Sequence, residues 1–83
     1  MFVYEVRENL GYDGIGRRFL VKEGEYALNK VKSILIKMLK SSDCPLKEFR
    51  IADVNKLNEL GGYHSFESDY FTCFEVLKIK VIL

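Results

Sequence analysis

A hydrolytic centre needs a nucleophile, a base within hydrogen-bond reach and a third group that orients the base. The chain holds one histidine, His64, with Ser65 directly after it. Adjacent side chains in an extended segment point to opposite faces, so these two cannot work as nucleophile and base. Cys44 and Cys73 are the only cysteines. Either is a usable nucleophile only if the fold carries it to His64; the plainer reading is a turn histidine and two packed free thiols, with a disulfide between them left open. Metal-ligand spacings of the C-x-x-C, H-x-x-x-H or aspartate-rich loop kind do not occur. The run Gly11-Tyr12-Asp13-Gly14-Ile15-Gly16 invites a phosphate reading. Its glycine order is the reverse of the dinucleotide fingerprint, and it leads into Arg17, Arg18 and a strand instead of a helix N-terminus. It reads as a hairpin tip that needs positive φ. The sharper alternative is a mobile loop whose Arg17 and Arg18 grip a partner or a phosphate backbone. No catalytic residue, metal ligand or cofactor is assigned, and the chain is expected not to be an enzyme.

The residues that remain are suited to binding. From Arg17 to Lys40 there are seven basic residues against two acids, and from Asp43 to Glu75 three against seven. On a helical wheel Tyr26, Lys30, Ser33, Lys37 and Lys40 share one face with no acid among them. Such a face is either simply solvated or contacts an anionic partner. Lysines with an interleaved tyrosine suit phosphate contact with stacking, and a like-charged patch equally suits an acidic protein. A second cluster is aromatic: Tyr63, Phe66, Tyr70, Phe71 and Phe74 fall within twelve residues. Alternation cannot bury Tyr70, Phe71 and Phe74 on one face. They form either a two-sided strand covered by the 61–67 loop or an exposed surface that anchors a partner subunit.

The elements that must position these residues follow from periodicity. Residues 2–8 alternate as a strand, residues 9–16 turn, and residues 17–22 form a second strand, which together make a β-hairpin. Residues 25–40 form the clearest element, a helix with Ala27, Leu28, Val31, Ile34, Leu35, Met38 and Leu39 in one arc. Glu23 and Glu25 at its start and Lys37 and Lys40 at its end suit the helix dipole, and Pro45 bars continuation. Residues 47–53, where Phe49 and Ile51 alternate with Arg50 and Ala52, read as a third strand. Asp53 then caps a two-turn helix over residues 54–60, stopped by Gly61 and Gly62; the rival keeps 54–60 extended. Residues 70–83 form a long last strand. The expected fold is α+β, one domain over 1–83, with an antiparallel sheet of about four strands and one long amphipathic helix packed on one face.

Composition narrows the function classes. In 83 residues, 48% are hydrophobic, one is proline and the net charge is +1. Extended disorder and a disulfide scaffold are disfavoured, and global charge demands neither nucleic acid nor membrane. No run approaches the roughly 20 apolar residues of a membrane span. Met1-Phe2-Val3-Tyr4-Glu5 lacks the basic and apolar regions of a signal peptide, so the expected location is cytoplasmic.

The hairpin of residues 2–8 and 17–22, followed by the helix start Glu25-Tyr26-Ala27-Leu28-Asn29-Lys30-Val31 and further strands, resembles small phage-encoded accessory proteins, among them anti-CRISPR proteins and phage inhibitors of toxin–antitoxin systems. The resemblance is one of topology and composition. It implies a small binding protein that acts by occupying a partner.

The expected function is therefore a non-enzymatic inhibitor or adaptor that binds a protein partner, with Arg17, Arg18, Tyr26, Lys30, Lys37 and Lys40 as its contact residues. The alternative is RNA binding through the same basic surface. A homodimer is also expected, with Tyr70, Phe71, Phe74 and Val81 at its interface. Fourteen straight strand residues at about 3.3 Å each would span about 46 Å. A globule of this length is only about 30 Å across. The strand must bend at a bulge or project from the domain as an apolar edge that a second copy would cover.

Overall fold

The computed structural model describes residues 1–68 and 71–82. The chain runs β1 (Phe2–Asn9), a single 3-10 turn (Gly11–Asp13), β2 (Ile15–Lys22), α1 (Ala27–Lys40), α2 (Lys47–Asn55), β3 (Tyr63–Glu67) and β4 (Cys73–Lys80). The four strands form one antiparallel sheet in the order β2-β1-β4-β3. The architecture is α+β, with two helices where one long helix was expected.

Strand register separates the two faces of the sheet. Val6 lies opposite both Phe19 and Val76, and Phe66 lies opposite Phe74. Val6, Val76, Phe66 and Phe74 face the helices and, with Tyr4 and Val21, join the core built on the apolar stripe of α1, whereas Phe19 at the sheet edge is 41% exposed. Val6, Val31, Leu35 and Leu39 are fully buried at the centre of this layer. The α1 stripe contains the seven positions expected of it: Ala27, Val31, Leu35, Met38 and Leu39 are buried, and Leu28 and Ile34 pack against them. The helix begins at Ala27, not at residue 25, because Gly24 at φ +151° turns the chain and its carbonyl accepts the Ala27 N–H at 3.2 Å. Its last carbonyls are satisfied by hydroxyls: Ser41 Oγ donates to Met38 O at 3.0 Å and Ser42 Oγ to Leu39 O at 2.6 Å.

The β1–β2 connection contains the expected positive-φ glycines, Gly11 at +67° and Gly14 at +80°. It is also packed. A Cβ at Gly11 would stand 2.7 Å from the Phe71 carbonyl oxygen, and the Tyr12 and Phe71 rings lie 6.2 Å apart. The turn is therefore pinned to the chain that enters β4.

Residues 47–53 are helix, not strand. The apparent alternation of Phe49 and Ile51 is overruled by a second periodicity: Lys47, Arg50, Ile51 and Val54 are the buried and half-buried positions, spaced i, i+3, i+4 and i+7. Phe49 falls on the outer side and stays exposed. The helix ends at Asn55, so Asp53 caps nothing downstream. Lys32 of α1 closes this end by donating Nζ to the carbonyls of Asn55 and Leu57, each at 2.9 Å. Residues 57–61 are irregular, with Leu60 buried, so neither the short helix nor a regular extended arm forms over 54–60. The 61–67 segment, expected as a loop, contributes β3, with Phe66 and His64 on the helix side and Tyr63, Ser65 and Glu67 on the other.

The last strand is shorter than expected. β4 has eight residues, a length of about 26 Å at 3.3 Å per residue. It lies between β1 and β3, so the sheet edges are β2 and β3. A dimer built on an overlong, exposed last strand loses both of its grounds. Tyr70 and Leu83 of that segment lie outside the described residues. Of the other proposed interface residues, Phe74 is a core residue at 3% exposure, Val81 is half-buried with its N–H donating to Met1 O at 3.0 Å, and Phe71 is 70% exposed.

Candidate protein-binding surface

Alternation in β2 sends its two adjacent arginines to opposite faces, and each meets a carboxylate there. Arg17 holds Glu8 through two side-chain bonds, Nε to Oε1 at 2.6 Å and Nη2 to Oε2 at 3.3 Å. The Arg17 hydrogen bonds, opposed by burial, keep the Glu8 carboxyl below its ordinary range, and the same contact raises the Arg17 pKa. Arg18 projects from the helix-free face, with Nε 3.4 Å from Glu5 Oε1. The two residues do not form a joint basic grip beside the glycine loop.

The α1 residues behave differently. Tyr26, Lys30, Ser33, Lys37 and Lys40 are all exposed, spaced four, three, four and three residues apart, and so form one stripe. Among the described residues Lys30, Lys37 and Lys40 pair with no carboxylate. Lys37 and Lys40 lie in the last turn, where the helix dipole favours cations. Lys30 lies near the helix start, where the dipole gives a cation no support. The six predicted contact residues thus divide into Arg17, bonded to Glu8, Arg18, loosely paired with Glu5 and largely exposed, and a four-residue stripe on α1 and its N-cap Tyr26.

Beside this stripe runs the free edge of β2. An open groove of about 750 Å³ separates it from α1, lined by Leu20, Lys22, Tyr26, Lys30, Ser33 and Ile34. Leu20 is 69% exposed. A second hollow, of about 540 Å³, lies at the opposite end of the sheet beside Leu46, Phe71 and Cys73. Its cation, Arg50, is already bound to Asp53 Oδ2 at 3.3 Å and Glu67 O at 3.1 Å. The β2 groove therefore offers unengaged positive charge, and the second hollow does not.

The helix-free face of the sheet carries a group that the sequence reading passed over. Arg7 donates Nε to Glu75 Oε1 at 3.1 Å and Nη1 to Glu5 Oε2 at 3.3 Å, and the Tyr63 hydroxyl donates to Glu75 Oε2. With Arg18 on Glu5, the network links all four strands. Glu75 is 4% exposed although no helix covers it. Burial alone would raise its pKa, but hydrogen bonds from Tyr63, Arg7 and Asn9 outweigh this and hold the carboxyl below its ordinary range. The same bond pushes the Tyr63 phenol above its usual value. The available signal was Glu75 as the one charged residue of the apolar run 73–77 and Glu5 and Arg7 spaced i, i+2 in another strand. Every polar group in this network is spent on a neighbour, so its chemistry is to lock strands together.

His64 and Ser65 occupy opposite faces of β3, as alternation requires. His64 stacks near Phe66 at 6.5 Å, and its Nε2 is buried without a hydrogen-bond partner among the described residues. Both thiols are free, Cys44 buried and Cys73 half-buried. Among the described residues no three His, Cys, Asp or Glu side chains converge as metal ligands, and no helix is long and apolar enough to cross a membrane. Comparison with protein-family models, with curated proteins and with solved structures found no match.

Proposed function

We propose that the chain is a non-enzymatic binding protein, an inhibitor or adaptor that occupies an acidic protein partner through the α1 stripe Tyr26, Lys30, Lys37 and Lys40. One observation carries this reading. Each arginine of the domain has one of its own carboxylates within 4 Å, whereas these lysines stand in a row with no acid to satisfy them among the described residues. A like-charged, unpaired row speeds encounter with an anionic surface and selects against cationic ones. Tyr26 adds a large amphipathic side chain of the kind enriched at interface centres.

Affinity capture from the native host, with and without nuclease, tests the proposal. The unaltered chain should retain a protein after nuclease treatment. The triple variant Lys30→Glu, Lys37→Glu, Lys40→Glu should keep the fold, since all three side chains are exposed, and lose that protein. Retention by the triple variant at low salt returns the lysines to a solvated face. Loss of all captured material on nuclease treatment assigns the surface to RNA.

A further inference from the structure

We propose that the partner is held as an added strand: an extended acidic segment of another protein pairs with the free edge of β2, sets its acidic side chains beside Arg18 and Lys22 on the open face and lays the alternate ones into the groove beneath α1. This rests on the reading of the α1 stripe as a protein-binding surface. Hydrogen-bond direction alternates along an antiparallel strand. Glu23 N–H bonds to Phe2 O, and Arg17 N–H points back to Glu8, so the odd positions of β2 face β1. The N–H and C=O groups of Arg18, Leu20 and Lys22 therefore face outward along the sheet edge, with no backbone partner among the described residues. A peptide backbone alternates donors and acceptors with the same period and matches this row, whereas a phosphodiester backbone offers only acceptors.

Charge selects the occupant. Along the open face the outward positions read Arg18, Leu20, Lys22, and Lys30 overhangs the groove from the helix side. Self-pairing of two β2 edges centred on Leu20 would set Arg18, whose side chain is 58% exposed and touches Glu5 only at 3.4 Å, against the second copy's Lys22 at both ends, and like charges directly opposite destabilise a sheet. A strand with acids at the two outer positions and an apolar residue between them reverses each term. The flanking cations thus close the edge to a second copy and leave it open to an acidic segment.

The test uses a blocked heptapeptide, Thr-Glu-Val-Val-Val-Glu-Thr, with a Lys-for-Glu version as control, and reads amide hydrogen exchange by NMR. With the acidic peptide, protection at the outward amides of Leu20 and Lys22 should rise about tenfold or more. The lysine peptide should bind at least about tenfold more weakly. Leu20→Pro removes only an outward donor, a position where an edge strand tolerates proline, and should abolish binding. Lys22→Glu, which leaves the backbone intact, should weaken it without affecting folding. Peptide binding that leaves both amides unprotected overturns strand addition but not the basic-surface reading, which fails only if the native partner ignores the α1 charge reversals. No binding at millimolar peptide, tighter binding of an RNA oligonucleotide that displaces the peptide, or sedimentation as a dimer with these amides already protected each overturns the proposal.

Discussion

Replacing Arg7 with methionine keeps an unbranched apolar stem and removes the guanidinium. Two charge-assisted bonds disappear, at 3.1 Å to Glu75 and 3.3 Å to Glu5. The side chains of Arg7, Glu75 and Glu5 are 23%, 6% and 11% exposed, so the carboxylates left behind have little water to turn to. An exposed ion pair contributes about 0–1 kcal/mol, whereas breaking a buried one costs about 3–5 kcal/mol because a charge is stranded. Glu75 keeps Tyr63, and Glu5 keeps Arg18, which places the expected loss near the lower end, about 3 kcal/mol. At about 0.05–0.15 kcal/mol per residue, a chain of this length holds roughly 4–12 kcal/mol in total, so the loss is a large fraction. Urea denaturation with a slope of about 1 kcal/mol per molar should show the midpoint falling by about 3 M. Combining Arg7→Met with Glu75→Gln should cost less than the sum of the two single changes, because the stranded charge is gone. A midpoint shift below about 0.5 M would refute the reasoning and reduce the network to a screened surface pair.

Acid titration should begin to destabilise the fold below the ordinary carboxylate value of 4.5. Glu8 and Glu75 are held below that value when folded, so their contribution is full above it and is lost as pH falls through their folded values; Glu75→Gln should flatten the fluorescence-monitored acid transition. At the alkaline end the sign reverses for Tyr63: its raised pKa stabilises the fold below pH 10, and this is lost as pH rises through the folded value, a loss that Tyr63→Phe should remove. Leu35→Ala empties a fully buried site at the centre of the α1 stripe and should cost about 2–5 kcal/mol by chemical denaturation; a negligible shift would deny α1 its place in the core. Gly11→Ala forces a Cβ to within 2.7 Å of a backbone carbonyl at positive φ and should lower the thermal midpoint, whereas Gly14→Ala, with nothing within 4 Å, should carry only the φ penalty.

The β1–β2 hairpin and the buried stripe of α1 were legible in the sequence because each shows one unopposed period over many residues. So was the exposed lysine row, the complement of that stripe. Residues 47–53 were not, because the segment satisfies two periods at once: Phe49 and Ile51 alternate, while Lys47, Arg50, Ile51 and Val54 repeat helically. Only packing against α1, with Lys32 closing the helix end, selects the second. β3 was hidden for a related reason, since Tyr63, Ser65 and Glu67 are polar enough to resemble a loop until pairing with β4 gives His64 and Phe66 an inward face. The interior position of β4 and the fate of the arginines lay further out of reach. Whether Arg17 and Arg18 are free cations depends on carboxylates at Glu8 and Glu5, and the lock on Glu75 joins residues 68 positions apart. Local periodicity reports which side of an element is apolar; strand order and charge pairing are set by which distant segments meet, and that is a property of the tertiary structure.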